Sequence, residues 1–494
     1  MRGARASAGF FNPRRRTTRA ETHALINMSH ERRTPLNSII GFTRLLLKRH
    51  ELSERQETDV GSVHDSRSHC SSLSTACSTC RAGPGGSPAA TGAATLASVA
   101  LPLDGIVVVD LTQNVAGPFC TQTLGDMGAD VVKVERPGRG DDARAWGPPF
   151  WGRESAVFIA LNRNKKSLAL DLKSEGGLEI LKRLVTRADV FVQSLRSGVI
   201  EELGLDFAGA ARLNPRLVYC SITAFGTEGP LAALPGYDPL MQAYAGLMSI
   251  NGHPGQEPAR VGTSIVDMGT GMWAALGIVA ALRERDRTGR AMEVTTALFE
   301  TALTWVSYHA AGFFGDGEVP QPQGSGTAMI APYQAFPTAD GYAMIAAGSD
   351  ALFRRLADAL GDPDLGADPR FADNPARVLN RAALVEAIAA STRRFKTADL
   401  LERLRAAGVP SAPILTVDRV LEEPQTAASG ILVAAPHPRV PDYRAVGLPI
   451  RWDRHRPGVR RVPPLLGEHS ADVLTWLGYT LDDVRSLQTR GVVQ

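Results

Sequence analysis

Asp267, in the stretch Arg260-Val-Gly-Thr-Ser-Ile-Val-Asp-Met-Gly-Thr-Gly-Met272, is a carboxylate set beside backbone with little side chain on it. Gly269 and Gly271 follow, and an apolar run of helical character continues from Met272 to Leu282. Two roles fit an acid at that place. It can cap the helix, accepting bonds from the free N–H groups of the first turn, and the helix dipole then favours its ionised form. Or the same carboxylate can attack an activated acyl group.

Other reactive side chains lie in the first hundred residues. His69, Cys70, Cys77 and Cys80 fall in one Ser-rich stretch, but their spacing lacks the second regular ligand pair of a zinc site, so they read as linker residues and no metal is expected. His30 belongs to Asn27-Met-Ser-His-Glu-Arg-Arg-Thr-Pro-Leu-Asn-Ser-Ile-Ile-Gly-Phe-Thr-Arg-Leu-Leu-Leu47, with apolar residues at helical spacing. This segment resembles the H-box of sensor histidine kinases, and the resemblance makes His30 the phosphoacceptor. A helix over about 21–63 is expected, followed by Ser, Cys, Gly and Ala linker chemistry to residue 98. No Asn-rich ATP-binding box follows, although Asp267-Met-Gly-Thr-Gly271 fits the kinase Asp-x-Gly-x-Gly pattern. Residues 1–100 therefore read as a kinase fragment or fusion remnant without kinase activity.

Composition narrows the rest. The chain has 494 residues, 44% of them apolar and 21% charged, which is the make-up of a globular protein with more than one domain. The first hundred residues carry 14 lysines and arginines against 7 acids, and the remainder 40 against 44. A mildly acidic body gives no reason to expect nucleic acid as a partner. The longest apolar run, Trp273 to Leu282, is half a membrane span, so no membrane association is expected. Five cysteines make no disulfide framework, Cys120 and Cys220 sit in apolar contexts, and a reducing, cytoplasmic location follows as an expectation.

The elements that must position Asp267 begin at Leu103. Short β-branched runs (106–110, 130–135, 167–172, 189–193, 217–222 and 291–295) alternate with helical segments over 120–127, 176–188, 237–250, 267–285 and 298–314. That order predicts an α/β protein, with a Rossmann-like parallel-sheet large domain over 101–314. A Gly-, Pro- and Gln-rich stretch at 315–328 opens a smaller α+β domain (315–430), with a hairpin at Ala339-Asp-Gly341. Residues 431–494 form a C-terminal segment of short strands and two helices returning to the large domain. No Gly-x-Gly-x-x-Gly follows the first strand, so a dinucleotide fingerprint is absent. Such a sheet binds its ligand at the carboxyl ends of its strands.

Several motifs accumulate in order. They are Ala116-Gly-Pro-Phe-Cys-Thr-Gln122, Leu124-Gly-Asp-Met-Gly-Ala-Asp-Val-Val-Lys-Val-Glu-Arg-Pro137, Asn162-Arg-Asn-Lys-Lys-Ser-Leu-Ala-Leu-Asp-Leu-Lys173, Pro235-Gly-Tyr-Asp-Pro-Leu240, Asp267-Met-Gly-Thr-Gly271, Ala331-Pro-Tyr-Gln-Ala-Phe336 and Pro464-Leu-Leu-Gly-Glu-His469. Over residues 101–494 the series resembles the type III CoA-transferases, the CaiB/BaiF family. The resemblance implies CoA transfer between acyl-CoA and small carboxylic acids, with coenzyme A as substrate and Asp267 as nucleophile. It also implies that Gly269 and Gly271 make room for a thioester and offer N–H groups to an oxyanion. By the same resemblance the CoA contacts are Arg136, the run Leu170, Asp171, Leu172 and Lys173, and then Ser194, Leu195 and Arg196, with Tyr237 and Asp238 near the reacting atoms. Arg136 also reads simply as a surface arginine at a strand end. Val115 replaces the Gln of formyl-CoA transferase, and the four-glycine loop is missing, which argues against oxalate as acceptor. Alpha-methylacyl-CoA racemase is the alternative, but Tyr237 stands where that enzyme has its basic His, and tyrosine titrates too high for the task. Family members form interlocked dimers, so a homodimer is expected.

Overall fold

The β-branched runs build one six-stranded sheet in the computed structural model, which describes residues 100–494. The expected helix over 21–63, His30 and Cys70, Cys77 and Cys80 lie outside the described residues. The strands are β1 (Val107–Leu111), β2 (Asp130–Glu135), β3 (Lys165–Ala169), β4 (Val190–Gln193), β5 (Val218–Thr223) and β6 (Met292–Ala297), in spatial order β3-β2-β1-β4-β5-β6. Every pairing is parallel. The chain moves outward from β1 to β3, then crosses back to start again at β4. This reversal leaves a crevice outside the carboxyl ends of β1 and β4, where no crossover covers the sheet.

Alternation along the strands divides the apolar side chains between two faces. Val108, Val131, Val190, Val192, Val218 and Cys220 lie on the side of α1 (Ala116–Asp126). Val109, Val132, Phe191 and Tyr219 lie on the side of α2 (Glu175–Arg187) and of the terminal helices Ser470–Trp476 and Leu481–Thr489. Both faces are covered, which is why the strands read as nearly continuous hydrophobic runs. Cys120 and Cys220 are free thiols buried in the α1-side core, as their apolar contexts imply.

Three further helices complete the α1 side: α3 (Asp238–Tyr244), α4 (Ile265–Thr288) and α5 (Leu298–Trp305). The single helix expected over 237–250 is interrupted at Gly246, whose φ of +85° no helix accepts, and a separate turn covers Leu247–Ile250. The helix expected over 298–314 breaks at Val306, and a new one runs from Ser307 to Asp316. α4 ends in a left-handed Gly289 cap. It is long and apolar enough by composition to cross a membrane, yet half of its apolar window is buried within the protein. Ala274, Ala275, Ile278 and Leu282 supply that buried stripe.

The smaller region has its own core around Phe336, Ile345, Phe353, Leu356, Leu384 and Leu400. Its hairpin joins Tyr333–Pro337 to Tyr342–Ala346, and Ser411–Pro413 adds a third antiparallel strand. The last strand pair is Leu432–Ala434 with Arg444–Val446. The chain then returns to the sheet: Val493 pairs with Leu170, and the Gln494 N–H bonds Ala169 O at 3.1 Å.

Candidate functional site

The crevice holds a cavity of about 180 Å³ at the carboxyl ends of the central strands. Gln113–Gly117, after β1, form one wall, and Ser194–Ser197, after β4, form another. Ile222–Ala224 at the end of β5, Leu234–Tyr237, Trp146 and Asp267 close it. Thus Asp267, Ser194, Leu195, Arg196 and Tyr237, five of the residues singled out in the sequence, border one cavity.

Asp267 is the third residue of α4, not its cap. The cap position belongs to Ser264, whose side chain makes no capping bond. A residue from another helix does that work. The Asp238 carboxylate accepts from the N–H groups of Val266 (2.8 Å) and Asp267 (3.2 Å), and its other oxygen accepts from Gln242 Nε2 at 2.6 Å. Gln242 Oε1 in turn accepts from the Val261 N–H. With the free donors of α4 taken, the Asp267 carboxylate is left facing the cavity, and among the described residues nothing donates to it. Burial, and then the negative charge of Asp238, push its carboxyl up to about 7. The dipole's preference for the ionised form is outweighed by those two effects.

The first outcome to expect concerns that pair. Replacing Asp238 by Asn removes the second cause of the upward shift and leaves the first, so Asp267 ionises at lower pH. The midpoint of the Asp267 carboxyl, followed by NMR, is expected to lie lower in Asp238→Asn than in wild type. A profile of the same midpoint as wild type would show that Asp238 acts through geometry alone.

The two glycines serve packing rather than substrate. A Cβ on Gly271 would lie 2.5 Å from Ala116 O and 3.1 Å from Cys120 N, the backbone of α1. One on Gly269 would lie 2.6 Å from the Trp305 ring. Both N–H groups lie beyond the first turn of α4, where the helix itself consumes them. They are therefore not the oxyanion donors that the resemblance implied.

Free donors exist opposite, at the start of α1. Ala116 and Gly117 are its first two residues, Pro118 has no N–H, and no intrahelical acceptor is available to them. Val115, Ala116 and Gly117 are buried and line the cavity. A Cβ on Gly117 would overlap the Thr112 side chain, which explains a glycine there.

The remaining singled-out residues are spread along the same sheet edge. Arg136, after β2, donates to Asp142 (2.6 Å) and Gln113 (3.3 Å), and Gln113 belongs to the cavity wall. Leu170 is fully buried and Leu172 packs on the same core, so their side chains face away from the edge. The Asp171 N–H is taken by Val492 O and the Lys173 N–H by Asp171, and Lys173 is exposed. Asp238 is buried behind Asp267 and does not border the cavity.

Reading the sequence missed a buried polar layer beneath α1. Asp110, Lys133, Asp141 and Lys165 all have fully or nearly fully buried side chains. Burial alone would raise the Asp110 carboxyl, but Lys165 and Lys133 bring it to about 2. Burial takes Lys165 down to about 8. Charges inside otherwise β-branched strands, as in Asp130-Val-Val-Lys-Val-Glu135, were the available signal.

Comparison with known proteins places this geometry. The profile of CoA-transferase family III matches residues 103–470. That of the His Kinase A (phospho-acceptor) domain matches residues 21–74. The succinyl-CoA:glutarate CoA-transferase of Mus musculus is 37% identical over 394 residues, covering 80% of this chain and 90% of the relative. The succinate–glutarate CoA-transferase of Agrobacterium fabrum is 37% identical over 76% of this chain and 96% of its own. The acetyl-CoA:oxalate CoA-transferase of Acetobacter aceti is 39% identical over 67% and 85%. A crystal structure of a CaiB/BaiF family protein from Brucella suis superposes with a TM-score of 0.70 at 39% identity, over 77% of this chain and all of that one.

Proposed function

Because the chain belongs to CoA-transferase family III and is a CoA-transferring enzyme, we propose that it takes coenzyme A from a succinyl-CoA-like donor to a small dicarboxylic acid through a thioester on Asp267. One observation carries this reading: Asp267, to which nothing among the described residues donates, borders the same strand-end cavity as Val115, Ala116 and Gly117 at the open N-terminus of α1. The Asp267 carboxylate attacks the donor thioester carbonyl, the C–S bond breaks, and CoA leaves as thiolate. That thiolate attacks Cγ of Asp267, expelling the donor acid as a carboxylate and leaving aspartyl-CoA. The acceptor carboxylate attacks the same carbonyl and frees the thiolate again. The thiolate then takes the acceptor's acyl carbon, and Asp267 is restored. Each step passes charge to a carbonyl oxygen, and the N–H groups of Val115–Gly117 are the donors positioned to receive it.

Coenzyme A is the only cofactor-like molecule the reading requires. Strands stand about 4.8 Å apart, so the edge from β3 to β4 spans about 14 Å. Lys173, Arg136 and Arg196 lie along it in that order, giving the nucleotide phosphates cations outside the cavity while the thiol end enters beside Asp267. Dicarboxylates are favoured as acceptors because the relatives named for succinate and glutarate match most of this chain. The racemase alternative needs a second base opposite the acid; Tyr237 holds that wall, and among the described residues no histidine borders the cavity.

Mass spectrometry after incubation with succinyl-CoA tests the route. Wild type gains one CoA at Asp267, removable by hydroxylamine. Transfer that continues in Asp267→Ala would rule the route out.

A homodimer belongs to the same proposal. Leu240, Tyr244, Met272 and Leu276 are exposed on α3 and α4, and Phe313 and Phe314 on the helix Ser307–Asp316; apolar side chains exposed together mark association surfaces. Light scattering is expected to give twice the mass of one chain, and a monomer at micromolar concentration would remove this part. For residues 1–100 the reading stays that of an inert kinase fragment. Labelled ATP is expected to leave no acid-labile phosphate on His30, and such phosphate would overturn it.

A further inference from the structure

The turn between β1 and α1 is gripped from beneath by buried side chains. Asp110 accepts from the Thr112 N–H (3.0 Å), from the Thr112 hydroxyl (2.5 Å) and from the Thr121 hydroxyl (2.7 Å). Lys165 Nζ donates to Asp110 Oδ2 (3.1 Å), Pro118 O (3.0 Å) and Asn162 Oδ1 (2.9 Å). These contacts anchor the body of α1. A second pair grips the turn itself. Lys133 Nζ donates to Thr112 O at 2.9 Å and lies 2.8 Å from Asp141 Oδ2. Asp141 Oδ1 accepts from the Asn114 N–H at 3.0 Å and from the Ala143 N–H at 2.9 Å.

Two features mark this second pair as more than packing. Taking an ion pair out of water is rarely the cheapest way to fill a core, since apolar residues of similar volume do as well or better. And the residue it holds, Asn114, has a φ of +69°, a left-handed conformation that asparagine tolerates better than other side chains and that the Asp141 bond to its N–H fixes. The backbone groups left open between these grips are the N–H groups of Val115, Ala116 and Gly117, residues that line the cavity Asp267 borders.

We propose that the buried Lys133–Asp141 pair is a positioning device for the transfer reaction, fixing the Thr112–Asn114 turn so that the N–H groups of Val115–Gly117 stay aimed at the acyl oxygen beside Asp267. The inference rests on the transfer reading above. Neither residue touches substrate; both act through the turn. Donors held without reorganisation stabilise developing charge far better than donors that must be ordered during the reaction, so the pair affects turnover more than binding.

The test uses the full-length enzyme with succinyl-CoA and glutarate as probes, in wild type, K133M/D141N and K133M/D141L. Both doubles remove both charges, so no lone buried ion remains. Asn keeps an oxygen for the Asn114 N–H, and Leu offers none. The kcat is expected to fall about 5-fold in K133M/D141N and about 50-fold in K133M/D141L, with the donor KM within about twofold of wild type in both. Hydrogen exchange of the peptide over 112–119 is expected to quicken about tenfold in K133M/D141L, while β5 exchanges as in wild type. The proposal is overturned by a K133M/D141L kcat within twofold of wild type, by a loss shared equally with KM, or by exchange that quickens across the whole sheet. Should K133M/D141L not fold, K133M/D141N decides by the same readouts. A wild-type enzyme that takes up no CoA from succinyl-CoA would instead overturn the transfer reading, and the exchange data would still judge the turn.

Discussion

Asp267→Asn is expected to lose CoA transfer by about 10⁴-fold or more and, at pH 8, to be more stable than the wild type. The activity loss follows from removing the only atom proposed to bond the acyl carbon. The stability gain follows from proton linkage. The unfolded aspartate titrates near its ordinary 3.8 and the folded one at about 7, so between those values the native state holds a proton that the unfolded chain has released. Stability therefore falls as pH rises through this window. At pH 8 the wild type keeps a partly buried, ionised carboxylate at a cost on the order of 4 kcal/mol. Asn carries no such charge. Urea titrations should show the variant's advantage at pH 8 shrinking toward pH 4. An equal advantage at both would mean that the carboxylate is not strained in the fold.

Gly271→Ala is the second large effect, and it acts on stability and turnover together. The added Cβ meets Ala116 O at 2.5 Å, a backbone atom that cannot swing aside as a side-chain tip would. Relief requires α4 and α1 to part. Overpacking of this kind costs about 1–3 kcal/mol, and the upper end applies because the obstacle is backbone. Ala116 also lines the cavity and is one of the proposed donors, so its displacement moves the donors relative to Asp267. A misplacement of about 1 Å is enough for a 10²-fold loss of kcat/KM. Gly176→Ala is the control. Its Cβ would meet Val492 at an ordinary 3.5 Å in the first turn of α2, and Tm and kcat/KM should both stay close to wild type. Similar losses in the two variants would show that glycine as such, and not the approach of α1 to α4, is what matters.

These glycines also show where sequence reading succeeds and where it stops. The parallel sheet was legible because both of its faces are buried, so every strand is a β-branched run bounded by turn residues. Asp267 was legible as a candidate because an acid next to glycines at a helix start is visible locally. Its electrostatic state was not. Asp238 lies 29 residues upstream of it, and only the meeting of α3 and α4 makes it both cap and like-charged neighbour. A glycine that leaves room for a ligand and one that leaves room for a neighbouring helix are the same letter; Gly269 lies against the Trp305 ring and Gly271 against the backbone of α1. Leu170 and Leu172 follow the same logic: position in a motif placed them at the sheet edge, while strand alternation turned their side chains into the core. Lys133 and Lys165 look like surface lysines until the fold lays α1 over them. Helix breaks at Gly246 and Val306 depended on backbone angles that apolar periodicity does not report.

The closure of β3 by the far end of the chain has a consequence for how the molecule is made. Gln494 bonds Gly138 across 356 residues, and Val493 pairs with Leu170 at the outer margin of the sheet. During synthesis that margin stays open until residues 492–494 have left the ribosome, long after the strands themselves are complete. Contacts so distant in sequence form late and slowly, and an uncovered strand margin is a place where chains stick to one another. The nascent protein is thus vulnerable along the outer side of β3, the strand whose far end is proposed to lie beside the nucleotide of its substrate.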